Sequence, residues 1–246
     1  MKTLIIIPSR LSAKRLPGKP LLKINGLSII SHVFRKAQEA NIGDVIVATE
    51  DQEIIDDVKL NGGNAILTNN KHKTGTDRIY EALQKINLIN IDLVMNLQGD
   101  EPLININDIK NLNTQMIKNN SELGTLASQF LDKEKELFEN QNVVKVITKD
   151  ELDASNFPEA LDFSRKISYE NKNIYHHLGI YCYQKETLKN FVSYNQSSNE
   201  IENKLEQLRA LDNNIKINVA LSKSSPIGVD TEEDFVAIKK IMEYKS

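Results

Sequence analysis

Short runs of consecutive apolar residues alternate, over the first hundred positions, with segments whose apolar residues recur at helical spacing. The runs at 4–7 (LIII) and 91–97 (IDLVMNL) are typical of strands that are buried on both faces of a sheet. Between such runs, apolar residues three and four positions apart predict amphipathic helices that cover the sheet. Strands and helices in this alternation predict a parallel sheet with right-handed crossovers.

The ends of these elements carry their own signals. The predicted strands are 4–7, 44–48, 65–67 and 91–97, and the predicted helices cover 29–37, 51–60 and 79–86. Gly62 and Gly63 are expected to end the second helix, because a left-handed residue commonly closes a helix. Thr76 or Asp77 is the expected N-cap of the third helix.

Beyond about residue 105 the alternation becomes less regular. The pattern predicts a helix near 106–117, strands near 125–130, 143–147, 160–168, 176–183 and 215–221, and a polar turn at 170–173. The region from 160 to 183 is interpreted as an insertion or a second small sheet. One further helix is predicted by apolar residues at helical spacing, Ile201, Leu205, Leu208 and Leu211. The last helix is expected after Thr231, which resembles a capping box with Asp234 three residues later.

Composition narrows the class of protein. A chain of 246 residues is long enough for one large domain or for one domain with an appendage. With 31 basic and 34 acidic residues the net charge is −3, which argues against a surface that binds nucleic acid in general. A single cysteine, Cys182, excludes an internal disulfide, and we expect it to be a small core residue. No apolar run is long enough for a membrane span, so a cytoplasmic protein is expected.

A basic loop follows the first predicted strand. Between Pro8 and Pro20 the sequence PSRLSAKRLPGKP carries Arg10, Lys14, Arg15 and Lys19 and no acidic residue. Its prolines restrict the backbone, so the loop should have a defined shape. Ligands of open α/β sheets bind beyond the carboxyl ends of strands, where this loop is predicted to lie. The loop therefore indicates an anion-binding site, with a solvated charged loop as the alternative.

Two carboxylates stand at the ends of other predicted elements. Asp100 follows the strand at 91–97, and Asp230 precedes the last helix. Either one alone has a structural alternative, since Asp100 could cap a turn and Asp230 could be an N-cap. Taken with the basic loop, they suit a Mg²⁺-nucleotide site, because Mg²⁺ takes one or two carboxylates together with phosphate oxygens. Neither a Walker A loop nor a GxGxxG motif is present, so an ATPase and a dinucleotide oxidoreductase are not supported.

Six motifs, in order from the first strand to the last helix, resemble those of the 3-deoxy-manno-octulosonate cytidylyltransferase family, also called CMP-Kdo synthetases. They are IIIPSRLSAKRLPGKPL, HKTGTDRI, NLQGDEP, HLGIYCY, LEQLR and GVDTEEDF. The resemblance implies an α/β fold of the Rossmann-like, three-layer nucleotide-diphospho-sugar transferase kind, with a mostly parallel sheet and a small mixed-sheet extension. It implies one domain over 1–246, with a sugar-binding and dimerisation extension around 125–212.

The same resemblance implies transfer of CMP from CTP to the anomeric hydroxyl of 3-deoxy-D-manno-octulosonate (Kdo), with release of pyrophosphate. Mg²⁺ is the implied cofactor and a homodimer the implied assembly, without nucleic acid or membrane as a partner. The product would serve lipopolysaccharide or capsule synthesis.

Residue roles are likewise implied by the family motifs. Binding of CTP would fall to Pro8, Ser9, Arg10, Arg15, Lys19, Arg78 and Gln98. Catalysis would involve Arg10, Arg15, Lys19, Asp100 and Asp230, the two aspartates also holding Mg²⁺. The sugar would be bound by Gln98, Arg165, His177, Tyr181, Glu206 and Gln207. For Glu206 the alternative is a surface ion pair with Arg209, three residues later on the predicted helix.

Two other functions stay open on the sequence. One is the same chemistry on an amino-substituted Kdo or on a nonulosonic acid of the sialic type. The other is a non-catalytic, CTP-binding regulatory protein, against which the presence of both Asp100 and Asp230 argues.

Overall fold

The computed structural model describes residues 1–13, 15–86, 88, 90–130, 135–167, 172–225 and 228–244. Lys14 of the basic loop and part of the turn predicted at 170–173 lie outside these residues. The described chain forms two compact units. The first comprises residues 2–109 and 228–244, and the second comprises residues 110–225 with Met1. The prediction of one domain with an extension around 125–212 stays a prediction.

Strands and helices alternate along much of the described chain. The strands are β1 (Thr3–Ser9), β2 (Lys23–Ile24), β3 (Leu27–Ser28), β4 (Gly43–Thr49), β5 (Ala65–Leu67), β6 (Leu93–Asn96), β7 (Leu123–Ser128), β8 (Lys145–Thr148), β9 (Ala160–Ser164), β10 (Ile174–Gln184) and β11 (Ile217–Leu221). The helices are α1 (Ile29–Ala40), α2 (Gln52–Leu60), α3 (Gly75–Lys85), α4 (Ile106–Asn119), α5 (Lys135–Glu139), α6 (Lys185–Ser193), α7 (Ser198–Asn203), α8 (Leu208–Asp212) and α9 (Glu232–Tyr244).

The first unit contains a parallel sheet in the order β6-β1-β4-β5. Its central strand β1 is fully buried from Leu4 to Ile7, as expected for a strand covered on both faces. Between these strands the chain returns through α1, α2 and α3, whose apolar faces are buried. The parallel arrangement predicted for this part of the chain is therefore confirmed.

The ends of the helices in this unit follow local chemistry. Gly62 has a φ of 80°, and the amide of Gly63 donates to the carbonyl of Val58 at 2.8 Å, so α2 ends where the two glycines predicted. The predicted N-cap of α3 was wrong. Thr74, in extended conformation, accepts a hydrogen bond from the amide of Asp77 at 3.2 Å, because the helix begins at Gly75.

The second unit contains a mixed sheet. β11 is parallel to β7, and β10 runs antiparallel to both β7 and β8. β9 is antiparallel to β8 and completes this sheet. The expected mixed-sheet extension is thus present, although α5 and α6 were not predicted.

The single helix predicted from Ile201 to Leu211 was wrong. The chain forms α7 and α8 instead, because Lys204 adopts a left-handed conformation with a φ of 53°. The amide of Leu205 then donates to the carbonyl of Glu200 at 3.2 Å, and the chain changes direction. The apolar spacing continues across the break, which is why it resembled one helix.

Arg209 is likewise not part of a surface pair. Its side chain is 2% exposed and donates to Glu200 through Nε at 2.7 Å and Nη2 at 2.6 Å. The guanidinium also lies over the ring of Phe191, 4.6 Å from its centroid. Glu206 is 3.8 Å from the same group, so the alternative of an exposed Glu206–Arg209 pair does not describe this site.

Within the described residues, no helix has the length and apolar character needed to cross a bilayer. Cys182 is buried, and burial raises the pKa of its thiol, as expected of a small core residue.

Candidate active site

Four loops of the first unit surround a cleft of about 420 Å³. They follow β1, precede α3, follow β6 and precede α9. Every residue expected to bind CTP or Mg²⁺ lies at this cleft, namely Pro8, Ser9, Arg10, Arg15, Lys19, Arg78, Gln98, Asp100 and Asp230. The parallel strands explain the convergence, because their carboxyl ends meet at one edge of the sheet.

Lys19 lies between the two aspartates. Its Nζ is 2.6 Å from Oδ2 of Asp100 and 3.3 Å from Oδ1 of Asp230. The side chain of Lys19 is 12% exposed, so this contact is partly shielded from water. Arg15, which is more exposed, contacts the other oxygen of Asp230 at 2.9 Å. Two carboxylates therefore converge on one cation.

Backbone contacts hold the two aspartates in place. The amide of Val229 donates to the carbonyl of Asp100 at 2.9 Å and joins the loop after β6 to the start of α9. Gly99 permits this arrangement, because a Cβ atom there would lie 2.9 Å from the carbonyl oxygen of Pro8.

The N-cap alternative for Asp230 is wrong. Thr231 caps α9, accepting from the amide of Asp234 at 3.2 Å, while Asp234 accepts from the amide of Thr231 at 2.9 Å. This reciprocal pair is the predicted capping box. The side chain of Asp230 is thereby left to face the two cations of the basic loop.

Glu101 places a third carboxyl group beside this pair. Burial, together with the charges of Asp100 and Asp230, raises its pKa to about 8. Its Oε2 is buried and has no hydrogen-bond partner among the described residues. Glu101 is therefore largely in its neutral form at pH 7, which leaves Asp100 and Asp230 as the charged carboxylates.

The carboxylates of Asp100 and Asp230 suit a divalent cation that also binds phosphate. Among the residues that the structure describes, no cluster of three or more His, Cys, Asp or Glu side chains is placed to hold a metal. Asp100 and Asp230 already share one cation, the ammonium of Lys19. Mg²⁺ takes one or two carboxylates and completes its shell with water and phosphate oxygens, so the pair fits this ion.

Arg78 of α3 lines the cleft, and most of its side chain is buried. It is 4% exposed, forms an ion pair with Glu50 and donates to Oγ1 of Thr68 at 2.6 Å. Glu50 and Thr68 directly follow β4 and β5, so these contacts join the start of α3 to the ends of both strands.

A second acidic residue, Glu81, contacts the loop before α3 and holds it in place. Glu81 contacts His72, accepts from the amide of Asn69 at 2.9 Å and pairs with Lys85 at 2.6 Å. Although burial raises the pKa of Glu81, these donors outweigh it and lower the pKa to about 2. His72 and Lys73 line the cleft but were not selected from the sequence, where the HKTGT motif was their only signal.

The candidate sugar-binding residues other than Gln98 lie in the second unit. His177 is buried, with Nε2 at 3.1 Å from Oγ1 of Thr125, and its ring packs edge-on against Phe163 at 4.9 Å. Burial, and to a lesser degree the charge of His176, lowers its pKa to about 3, so the imidazole is neutral. Its ring centroid is 5.5 Å from that of Tyr181.

Three further residues complete that set. Burial raises the pKa of Tyr181, and Tyr183 and Glu206 raise it further by their charges. Gln207 is 8% exposed. Arg165 instead lies against the turn before β8, donating from Nη1 to the carbonyls of Gln141 and Asn142.

Comparisons with known proteins agree with one another. Residues 4–217 match the family model described as Cytidylyltransferase. The chain is 41% identical over 243 residues to the 3-deoxy-manno-octulosonate cytidylyltransferase of Rhodopseudomonas palustris (strain BisB18), with 98% of each chain covered. The protein of the same name from Thermodesulfovibrio yellowstonii is 42% identical over 253 residues, again with 98% of each covered.

Solved structures lead to the same family. A CMP:2-keto-3-deoxy-manno-octonic acid synthetase complexed with CTP is similar over the full length of both chains, with a TM-score of 0.90 and 34% identity. A UDP-glucose pyrophosphorylase complexed with UDP-glucose also matches over both full lengths, with a TM-score of 0.72 and 14% identity. At that identity the second match concerns the fold alone.

Proposed function

This chain belongs to the 3-deoxy-manno-octulosonate cytidylyltransferase family, and on that premise we propose that it transfers CMP from CTP to the anomeric hydroxyl of Kdo, releasing pyrophosphate. The observation that carries the proposal is the cleft of the first unit, where Lys19 lies between Asp100 and Asp230 beside Arg15. Such a cleft presents cations to a triphosphate and carboxylates to a metal.

The cations of the basic loop bind the triphosphate in this proposal. Arg10, Arg15 and Lys19 neutralise its negative charge and stabilise the charge that develops as pyrophosphate leaves. Arg15 and Lys19 pair with the carboxylates of Asp230 and Asp100. Exchange of those partners for phosphate oxygens aligns the α-phosphate at the cleft, so the loop works by positioning and electrostatics.

Asp100 and Asp230 are the proposed ligands of Mg²⁺. When bound, the ion supplies charge neutralisation at the phosphates and lowers the pKa of a hydroxyl that binds it. This proposal is supported by the convergence of the two carboxylates on one cation. Because Glu101 is largely neutral, Asp100 and Asp230 are the charged carboxylates of this group of three.

The sugar acid is assigned to the side chains of the second unit together with Gln98. Arg165 suits the sugar carboxylate, because a guanidinium can bind a carboxylate through two parallel hydrogen bonds. Nε2 of His177 already contacts Oγ1 of Thr125, so the neutral ring offers Nδ1 to the sugar. Tyr181, Glu206 and Gln207 add donors and acceptors for sugar hydroxyls. The neutral side chains of His177, Tyr181 and Gln207 bind hydroxyls without the desolvation cost of a buried charge.

The proposal extends to the setting of the enzyme. The family resemblance suggests a homodimer in the cytoplasm whose product enters lipopolysaccharide or capsule synthesis. Light scattering coupled to size-exclusion chromatography would measure the mass of the assembly, and a monomer at working concentrations would contradict the proposed dimer.

The function is tested by pyrophosphate release from CTP and Mg²⁺, with Kdo, its amino-substituted analogue and sialic acid offered in parallel. Release with Kdo is expected. Release with another acid sugar only would retain the chemistry and change the substrate. Binding of CTP without release in any reaction would favour a regulatory protein.

A further inference from the structure

A deeply buried ammonium group lies in the second unit, outside the residues assigned to either substrate. Lys145 opens β8, opposite Ser164 of β9 and His176 of β10, and is 1% exposed. Its Nζ is 5.8 Å from the centroid of the Phe138 ring. Lysine is almost never buried to this degree unless it is paired. The contacts of its ammonium therefore have to offset a large loss of hydration.

Each of the three N–H donors of Lys145 can be matched with a backbone carbonyl. Nζ lies 2.8 Å from the oxygen of Asn140, 2.9 Å from that of Val143 and 3.0 Å from that of Arg165. The first two carbonyls belong to the turn between α5 and β8, and the third follows β9. One side chain thus fixes two backbone segments that are about twenty residues apart in sequence.

The side chain of Arg165 contacts the same turn. Nη1 donates to the carbonyl of Gln141 at 3.3 Å and to that of Asn142 at 3.1 Å. The carbonyls of residues 140–143 are consequently divided between two cations. Among the residues that the structure describes, all hydrogen bonds of this guanidinium come from Nη1. Nε and Nη2 can therefore donate to a ligand without breaking them.

Lys145 and Arg165 are neighbouring cations, and among the described residues no acidic side chain pairs with either. Neither Lys145 nor Arg165 forms an ion pair with an acidic side chain of the described ranges, which omit 131–134 and 168–171. Burial lowers the pKa of Lys145, and the nearby charge of Arg165 lowers it further. Two neighbouring positive charges, held by neutral carbonyls, favour the approach of an external carboxylate.

We propose that Lys145 is a positioning residue for the sugar acid, fixing the backbone of Arg165 and the turn at 140–143 so that the guanidinium meets the sugar carboxylate. The inference rests on the proposed function, in which Arg165 binds that carboxylate. Lys145 itself touches no substrate. It acts by holding Arg165 in one arrangement before the sugar arrives, so that less ordering is required on binding.

The test is the Lys145→Met variant, which keeps an unbranched side chain and removes the three donors. We expect KM for Kdo to rise by about tenfold or more, as is typical when a supporting contact is lost. KM for CTP should stay within about twofold, because the residues assigned to the nucleotide lie in the first unit. Lys149→Met is the matched control, since it removes an exposed lysine just after β8 and should leave both constants unchanged.

A double variant separates positioning from a general structural role. If Lys145 acts through Arg165, then Lys145→Met added to Arg165→Gln should raise KM for Kdo no further than Arg165→Gln alone. Multiplication of the two effects would overturn the proposal. An equal rise of both Michaelis constants in Lys145→Met would also overturn it.

Folding of the variants is checked by circular dichroism and thermal melting before kinetics. If Lys145→Met does not fold, Lys145→Gln keeps two N–H donors, and its KM for Kdo should exceed that of the wild type while KM for CTP does not change. Failure of both variants to fold would make Lys145 a purely structural residue. Absence of Kdo turnover by the wild-type enzyme would instead refute the proposed function.

Discussion

Buried ionisable side chains set the chemistry of this protein at the scale of single residues. His177 is neutral because water is excluded from it, and Glu101 retains its proton for the same reason. Lys145 stays in a buried position by donating to three carbonyls. None of these properties is visible in the residue type alone, since each depends on what the fold packs around the side chain.

The neutral state of His177 has a consequence for stability. The pKa of His177 is about 3 in the folded protein, against an ordinary value of 6.5. Between pH 3 and pH 6.5 the unfolded chain therefore binds a proton that the folded protein does not bind. The stabilising effect is fully present above pH 6.5 and is lost as the pH falls toward 3. Urea unfolding of His177→Gln should therefore show a free energy that depends less on pH in this window, by up to about 1.4 kcal/mol per unit. Equal slopes for variant and wild type would contradict this.

Asp100 offers a sharper test of the metal site. Asp100→Asn retains the shape and an acceptor for Lys19 while removing one charge, so the fold should persist. Pyrophosphate release is expected to fall by at least about 100-fold, because charge stabilisation at the phosphates is lost. Asp44→Asn, which removes a surface partner of Lys2, serves as the control and should keep wild-type turnover. Undiminished release by Asp100→Asn would remove Asp100 from the metal site.

At the scale of elements, the sequence signals some helix ends clearly and others not at all. Where apolar periodicity ran between clear breakers, as in α2 before Gly62, the sequence predicted the element and its end. The break at Lys204 was missed because lysine is an ordinary helix residue and only its left-handed backbone ends α7. The N-cap of α3 was misplaced for a related reason, since several adjacent polar residues, Thr74, Thr76 and Asp77, could each have served.

The left-handed residue at the end of α7 can be tested directly. Lys204→Gly should raise the free energy of unfolding by about 0.5–1 kcal/mol, because glycine adopts a positive φ without the steric cost that a Cβ brings. Glu202→Gly places the same residue inside α7, where it should lower stability by about 1 kcal/mol. Chemical denaturation of both variants measures the difference. A loss of stability in Lys204→Gly would show that the side chain matters more than the backbone.

The whole molecule divides its proposed tasks between two units. The residues assigned to CTP belong to the first unit, and those assigned to the sugar, apart from Gln98, belong to the second. The residues selected from the sequence for CTP and Mg²⁺ all line one cleft, because their motifs stand in loops at the ends of parallel strands. The surroundings of Arg165 could not be predicted, since its backbone carbonyl contacts depend on a turn and two strands that meet only in the fold.

Hydrogen exchange can follow this division. CTP with Mg²⁺ should slow exchange of amides at 8–13, 15–20, 72–78 and 98–101, where the cleft loops lie. Exchange of β10 should not change with the nucleotide and should slow when Kdo is added. Protection of β10 by CTP alone would assign part of the nucleotide site to the second unit.

The position of Lys19 also determines how the enzyme should behave when metals are withdrawn. The ammonium of Lys19 and the guanidinium of Arg15 already pair with Asp100 and Asp230, so side chains of the same unit balance the two negative charges. Proteins that fold only around a bound metal are denatured by chelators. For this protein, EDTA should stop turnover but leave the protein folded, as measured by circular dichroism, and activity should return when Mg²⁺ is restored. We therefore expect that the enzyme can be purified and stored in chelator, as a dormant protein that needs no refolding.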